Sequence, residues 1–247
     1  MITRRFLVPL LILVGWSALT YTGLASEFFV ASPTDTVLSL CRLIVTGEIL
    51  RDLLYTLARI FAGLIAGSII GMLAGLAIGI SPDVWRYVES TVDFFRSLPA
   101  FALFPFFILI FGPGDRAKIA TTTWFIAFVM LISTAYAIQA TNTTRLNAAR
   151  SLGASRLKTF LHVILPQGVP QLMVGFRTSL AFAPIVVIAT EMFSGTYYGL
   201  GNRIYEARLV YKIPEMYAAL LVAGFVGYGL NKGFNLVCNR LVHWAGK

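Results

Sequence analysis

Apolar residues gather along this chain in runs long enough to cross a bilayer, separated by short polar stretches. The runs fall at 6–25, 57–80, 98–111, 119–138, 169–190 and 216–237. About 20 apolar residues in a helix match the hydrocarbon thickness. The pattern therefore predicts an all-α polytopic membrane protein of about six transmembrane helices. The run 6–25 follows Arg4 and Arg5 and ends in small residues, as a signal peptide does. Its length is that of a span, so it is expected to be a retained helix outside the core. Residues 26–52 read as a polar, amphipathic stretch, and "SPDVWRYVESTVDFFRS" at 81–97 reads as a short polar loop.

Two spans carry further patterns. In 57–80, Gly63, Gly67, Gly71, Gly75 and Gly79 recur every four residues, which places them on one helix face that another backbone can approach closely. That face is read as packing, with no chemistry assigned to it. In 98–111, Pro99 and Pro105 remove backbone donors, so this segment is expected to face protein or a water-lined pathway and not lipid.

Composition sharpens this picture. With 57% hydrophobic and 13% charged residues and a mean hydropathy of +0.78, the chain lies outside the soluble range. Its net charge of +9 is scattered between apolar runs, unlike a nucleic-acid patch interleaved with aromatics. Placing the N-terminus inside puts Arg4, Arg5, Arg86, Arg96, Arg145, Arg150, Arg156, Lys158, Lys232, Arg240 and Lys247 on the cytoplasmic face, opposed by Asp83, Glu89 and Asp93. The outer segments are nearly balanced: Arg42, Arg51, Arg59, Arg116, Lys118, Arg203, Arg208 and Lys212 against Glu27, Asp35, Glu48, Asp52, Asp115, Glu206 and Glu215. The positive-inside rule thus favours cytoplasmic N- and C-termini. Cys41 and Cys238 then lie near opposite faces, where no disulfide joins them, and His162 and His243 are too far apart in sequence to suggest a metal site.

One cytoplasmic segment departs from the apolar theme: "NAARSLGASRLKTFLHVILP", 147–166. Leu146, Ala149, Gly153, Leu157, Phe160 and Ile164 step by three or four residues while Arg145, Arg150, Arg156 and Lys158 project elsewhere, the period of an amphipathic helix. Gly153 is placed to end one helical piece and Ser155 to cap a second, with Pro166 ending the second before the next span. Such an element suits either an anionic membrane surface, through its basic face, or a partner protein, through its small residues Ala148, Ala149, Gly153 and Ala154.

The same segment resembles the "EAA" loop of permease subunits in binding-protein-dependent ABC importers, with Ala148, Ala149, Gly153, Val163, Leu165 and Pro166 at matching positions. "RSLPAFALFPFFILIFGPGDRAKI" (96–119) and "TEMFSGTYYGLGNRIYEAR" (190–208) resemble the nitrate, sulfonate, taurine and bicarbonate branch of those permeases. The resemblance implies a single permease domain with its core at 57–238 and a cytoplasmic coupling loop at 142–166. Asn147, Ala148, Ala149, Gly153, Ala154, Leu157, Leu165 and Pro166 would then meet the ATPase. It also implies a homodimer of permeases in the bacterial inner membrane, two cytoplasmic ATPase subunits that bind ATP and Mg, and a periplasmic or lipoprotein solute-binding protein. ATP hydrolysis belongs to that partner, in keeping with a chain whose single Gly-Lys pair, Gly246-Lys247, lies at its very end.

This sequence departs from the family pattern at Asn147, where a Glu is usual, and at Ser133-Thr134, where Asn-Thr is frequent. An exposed ion pair is worth only about 0–1 kcal/mol, so the docking role survives loss of the carboxylate.

Charged groups inside spans are functional candidates because burial is costly. Arg177 and Glu191 lie in or at the end of 169–190 and stand roughly 21 Å apart along a helix, too far to pair. Arg177 offers a donor fork suited to an anion, or else snorkels to the cytoplasmic face or pairs with Asp93. Glu191 reads as a gate or a structural hydrogen-bond partner. Ser97, Ser133, Thr134, Ser179 and Thr190 are neutral candidates for the translocation pathway. An ion-coupled secondary transporter would show intramembrane acids in paired broken helices, and a membrane enzyme would need a nucleophile with its base. A non-transporting scaffold would share the docking loop.

Overall fold

The computed structural model describes residues 2–26, 28–193, 195 and 197–241. Glu27, His243 and the Gly246-Lys247 pair lie outside the described residues, as do the side chains of Arg4 and Arg5. Among the described residues the chain is helical, without strands, in the order α1 (Ile2–Tyr21), α2 (Pro33–Val45), α3 (Glu48–Gly79), α4 (Pro82–Ser97), α5 (Phe104–Phe111), α6 (Asp115–Gln139), α7 (Thr143–Ser151), α8 (Arg156–Thr159), α9 (Leu165–Phe193), α10 (Leu200–Leu209) and α11 (Ile213–Leu241). They group into two compact units, Met1–Leu57 with Ile188–Phe225, and Ala58–Val187 with Val226–Lys247.

Among the described residues, four helices are long and apolar enough to cross a membrane: Glu48–Gly79, Asp115–Gln139, Arg156–Phe193 and Ile213–Cys238. α1 adds the shorter apolar stretch Leu7–Tyr21, and it ends four residues before the expected 25. α3 begins at Glu48, nine residues before the expected 57, because Glu48 sits favourably in a first turn where the helix dipole welcomes an acid.

The second unit is built on the glycine ladder of α3. A Cβ placed at Gly63, Gly67, Gly71, Gly75 or Gly79 would lie 2.6, 2.7, 2.3, 2.4 or 2.8 Å from atoms of Thr122, Ile126, Ala127, Leu131 and Ala135. The partners climb α6 in the same order as the glycines climb α3, so the two helices run parallel and nearly touch. Ile60, Ile126, Met130, Ala183 and Val187 close the core beside them. α9 runs the other way, with Gly168 against Ala137 and Gly175 against Ser133 and Met130.

Two parallel neighbours need a return passage, and residues 82–111 supply it. The stretch 81–97, expected as a loop, is helix α4, capped by Ser81 accepting from the Val84 N–H with Pro82 in its first turn. Trp85 packs on Tyr136 at one end, and Phe95 on Trp124 and Phe128 at the other, so α4 descends antiparallel to α6. Polar residues led this stretch to be read as a loop, although Trp85, Val88, Val92 and Phe95 keep helical spacing and three of them pack in one cluster against Leu131 and Ala135. The chain then bends by 84°, makes a 3-10 turn at Ala100–Leu103 and continues as α5. The expected third span, 98–111, is therefore the second half of a broken span. Both prolines sit where no donor is lost: Pro99 precedes the 3-10 turn and Pro105 lies in the first turn of α5. Along this segment Phe104 and Phe107 are buried while Phe106, Leu109 and Ile110 are exposed.

Candidate functional site

The cytoplasmic-loop candidate, 142–166, is a capped two-helix turn. Asn142 caps α7 by accepting from the Thr144 N–H at 2.8 Å. Gly153 takes φ +75°, and the N–H groups of Gly153 and Ala154 return to the carbonyls of Arg150 and Ala149 at 2.9 and 3.0 Å. This closes the helix end in the left-handed conformation that glycine adopts without strain. Ser155 then caps α8, accepting from the Lys158 N–H.

Pro166 departs from expectation. It does not end the second piece, because Arg156–Phe193 is one continuous helical run. A π-turn at Phe160–Ile164 precedes it, in which the Leu165 N–H donates to Phe160 O. That wider turn relieves the clash of a proline ring with the carbonyl four residues back.

No residue of α7 is buried. Leu152 is 87% exposed and Leu157 67% exposed at the apex, and Asn147 and Ala148 are exposed beside them. Ala149, Leu152 and Ala154 also line an open groove of ≈ 430 Å³ with Lys158, Thr159, His162 and Val163. On its flank, Arg145, His162 and Gln167 border a second cavity of ≈ 450 Å³. Small residues and exposed leucines thus surround a capped turn whose apolar side chains this chain leaves uncovered.

The pathway candidates differ in their surroundings. Ser97 is exposed and donates to Phe94 O at 2.7 Å. Ser133 sits where α6 meets Gly175, and Thr134 where it meets Gly75; the Thr134 hydroxyl is turned back to Met130 O. Ser179 is fully buried with an unpartnered hydroxyl among the described residues. Arg177 is exposed, and Asp93, its suggested partner, instead lies 3.1 Å from Arg96 on its own helix.

Thr190 and Glu191 belong to the other unit, where both are fully buried. Glu191 accepts from the Thr56 hydroxyl at 2.9 and 3.0 Å and from the Gly201 N–H at 2.9 Å. The Thr56 oxygen in turn accepts the Leu200 N–H at 2.9 Å. This carboxylate holds the first turn of α10, whose Gly201 approaches so closely that a Cβ would stand 2.2 Å from Ile188 O. Replacing Thr56 by valine strands the Leu200 N–H and one Glu191 bond, and is expected to lower stability by about 1–3 kcal/mol in thermal unfolding of the purified protein.

Beside it stands a charged cluster that the sequence reading missed. Asp52, 2% exposed, accepts from the Gly199 N–H at 3.0 Å and from Arg203 Nε. Arg203 also donates to Glu48 at 2.9 Å and Glu215 at 2.6 Å. Burial works against the Arg203 charge, but the bond and field of Asp52, with Glu215 and Glu48, outweigh it and raise its pKa. The signals were the near-balance of charge in the outer segments and the spacing of Glu48, Asp52 and Thr56 at every fourth residue. In the second unit Arg59, 3% exposed, pairs with Asp115 at 2.8 Å. Asp115 also lies 3.7 Å from the buried Lys118. Arg59 lies inside the run 57–80 and was nonetheless counted with the outer loops.

Long apolar helices, a broken span and an exposed, glycine-hinged loop between α6 and α9 fit a membrane-embedded protein. Residues 63–243 match the profile of the family described as "Binding-protein-dependent transport system inner membrane component". The chain belongs to this family. It is 29% identical over 230 residues to a probable ABC transporter permease protein of Brucella melitensis, covering 93% of this chain and 92% of that one. It is 31% identical over 220 residues to the putative aliphatic sulfonates transport permease protein SsuC of Escherichia coli, covering 89% and 83%. Similarity to permeases named for sulfonates, taurine and nitrate places it in that branch. A structure of the MetNI methionine ABC transporter shares the fold at a TM-score of 0.68 and 22% identity, over 79% of this chain and 97% of that one.

Proposed function

We propose that this chain forms the translocation pathway of an ATP-driven importer for a small anion such as a sulfonate, nitrate or bicarbonate, and receives the work of ATP through residues 142–166. Two copies pair, two cytoplasmic ATPase subunits that bind ATP and Mg dock on the loop, and a periplasmic or lipoprotein binding protein delivers the solute. The names of the similar permeases support the anion. The observation that carries the coupling role is Leu152, 87% exposed and held at the apex by the left-handed Gly153. With Ala149, Ala154, Leu157, Leu165 and Pro166 it supplies an apolar anchor on a stiff turn, able to pass a rigid-body displacement into α9. Placing this loop on the cytoplasmic face makes the Gly79 end of α3 cytoplasmic as well, because α3 runs parallel to α6.

The test is copurification. Leu152→Glu changes a side chain that is 87% exposed, so the protein is expected to insert and fold normally while the ATPase is lost from the purified complex. Gly153→Leu is expected to give the same loss by a different route. A Cβ there meets nothing within 4 Å, but the left-handed backbone costs a bulky residue about 1–2 kcal/mol and the turn opens. Ala149→Asp blocks close approach. A full complement of ATPase and undiminished solute uptake in all three variants would sink the coupling role.

A further inference from the structure

Helix α2 poses a problem that the transport role does not address. Its residues Val37, Leu38, Ile44 and Val45 are 54–87% exposed, and Cys41 between them is exposed too. At 100° per residue these side chains fall within an arc of about 120°. Thr34 shares that arc in the first turn, where its hydroxyl meets that of Tyr21 at 2.8 Å. The buried residues Thr36 and Leu43 point the opposite way. Between the two lies a polar wedge of Asp35, Ser39, Arg42 and Thr46. Ser39, Arg42 and Thr46 border a cavity of ≈ 290 Å³ with Glu48, Lys212 and Glu215. The helix thus keeps its polar side near its own unit's charges and shows its apolar side outward.

The position of α2 decides what covers that side. Its 13 residues measure roughly 20 Å, too short to span a bilayer. Its N-terminal end is tied to the end of α1, through Trp16 Nε1 donating to Ala31 O at 2.9 Å and the Tyr21–Thr34 contact. At its other end Thr46 and Gly47 alone separate it from the apolar helix α3. Aromatic pairs gather in the same unit: Trp16 stacks on Tyr217 at 5.9 Å, Phe28 on Tyr211 at 4.7 Å, and Tyr55 on Tyr198 at 5.2 Å. Tryptophan and tyrosine concentrate where hydrocarbon meets water. A short helix that joins two apolar helices fits a place along the membrane surface, and Leu50 and Leu54 in the first turns of α3 are exposed as well.

We propose that α2 is an interfacial helix lying in the bilayer surface, with Val37, Leu38, Cys41, Ile44 and Val45 among the lipid acyl chains and its polar wedge in water. Lipid then holds one side of the cavity that contains Glu48 and Glu215, two of the carboxylates on Arg203.

Native Cys41 gives a direct probe. In a Cys238→Ser background the full chain, purified with the subunits it brings down, is spin-labelled at Cys41 and reconstituted into phosphatidylcholine and phosphatidylglycerol vesicles. Further single labels are placed at Leu38→Cys, Val45→Cys and Ser39→Cys, each with Cys41→Ser. Collision rates with oxygen, which partitions into hydrocarbon, and with a water-soluble nickel chelate are compared. Labels at 38, 41 and 45 are expected to be several-fold more accessible to oxygen than to the chelate, and the label at 39 to show the reverse order. Equal chelate access at 39 and 41 would overturn the proposal by placing the arc in water. Shielding from both reagents with dipolar broadening between labels would overturn it in favour of a second copy covering the helix.

Discussion

Replacing Arg203 with methionine is expected to destabilise the protein by about 3–5 kcal/mol, the cost of leaving a buried charge without its partner. The large term is Asp52, 2% exposed, which would keep the Gly199 N–H and lose the guanidinium. Glu48 and Glu215 are more exposed and contribute less, because water screens them. Thermal unfolding in detergent measures the effect. Arg208→Met, an exposed site on the same helix, is the control, and equal shifts for the two variants would refute the account. Asp52→Asn added to Arg203→Met should recover part of the loss, since the neutral amide needs no counter-charge. A simple additive loss would place the energy elsewhere.

The second large effect is expected at the glycine ladder. Gly71→Val would place a Cβ 2.3 Å from Ala127 O and 2.7 Å from Met130 Cβ. The obstacle is backbone and cannot rotate away. Overpacking of this kind costs about 1–3 kcal/mol in a soluble core, and helices in lipid have little beyond packing to hold them together. α3 and α6 are expected to part, giving poor recovery of monodisperse protein and a lowered unfolding midpoint. Gly224→Ala and Gly227→Ala, where a Cβ meets nothing within 4 Å, are expected to be silent. A Gly71→Val protein as stable as these would remove the ladder from the account of the fold.

The regular spacing from Gly63 to Gly79 and the cap at Ser155 were legible because they are local: period, backbone conformation and short-range hydrogen bonds are written in neighbouring residues. Gly153 belongs to the same class, since a basic helix followed by a small-residue turn has few other ways to end. Helix α4 was hidden by its own polarity. Its apolar face covers α6 while its charged face is exposed, and a reading tuned to long apolar runs takes such a mixture for a loop.

By itself, then, the sequence determined an all-α membrane protein with a close-packing helix face and a protruding loop, because hydropathy and periodicity act over a few turns. Tertiary structure alone decided which helix the glycines meet and in which direction it runs. That direction turned two short helices at 82–111 into one broken passage. It alone also joined Asp52 to Arg203 and Glu191 to Thr56, residues 151 and 135 positions apart. Burying a charge is tolerable only beside its partner, and which partner arrives is settled by how distant helices pack.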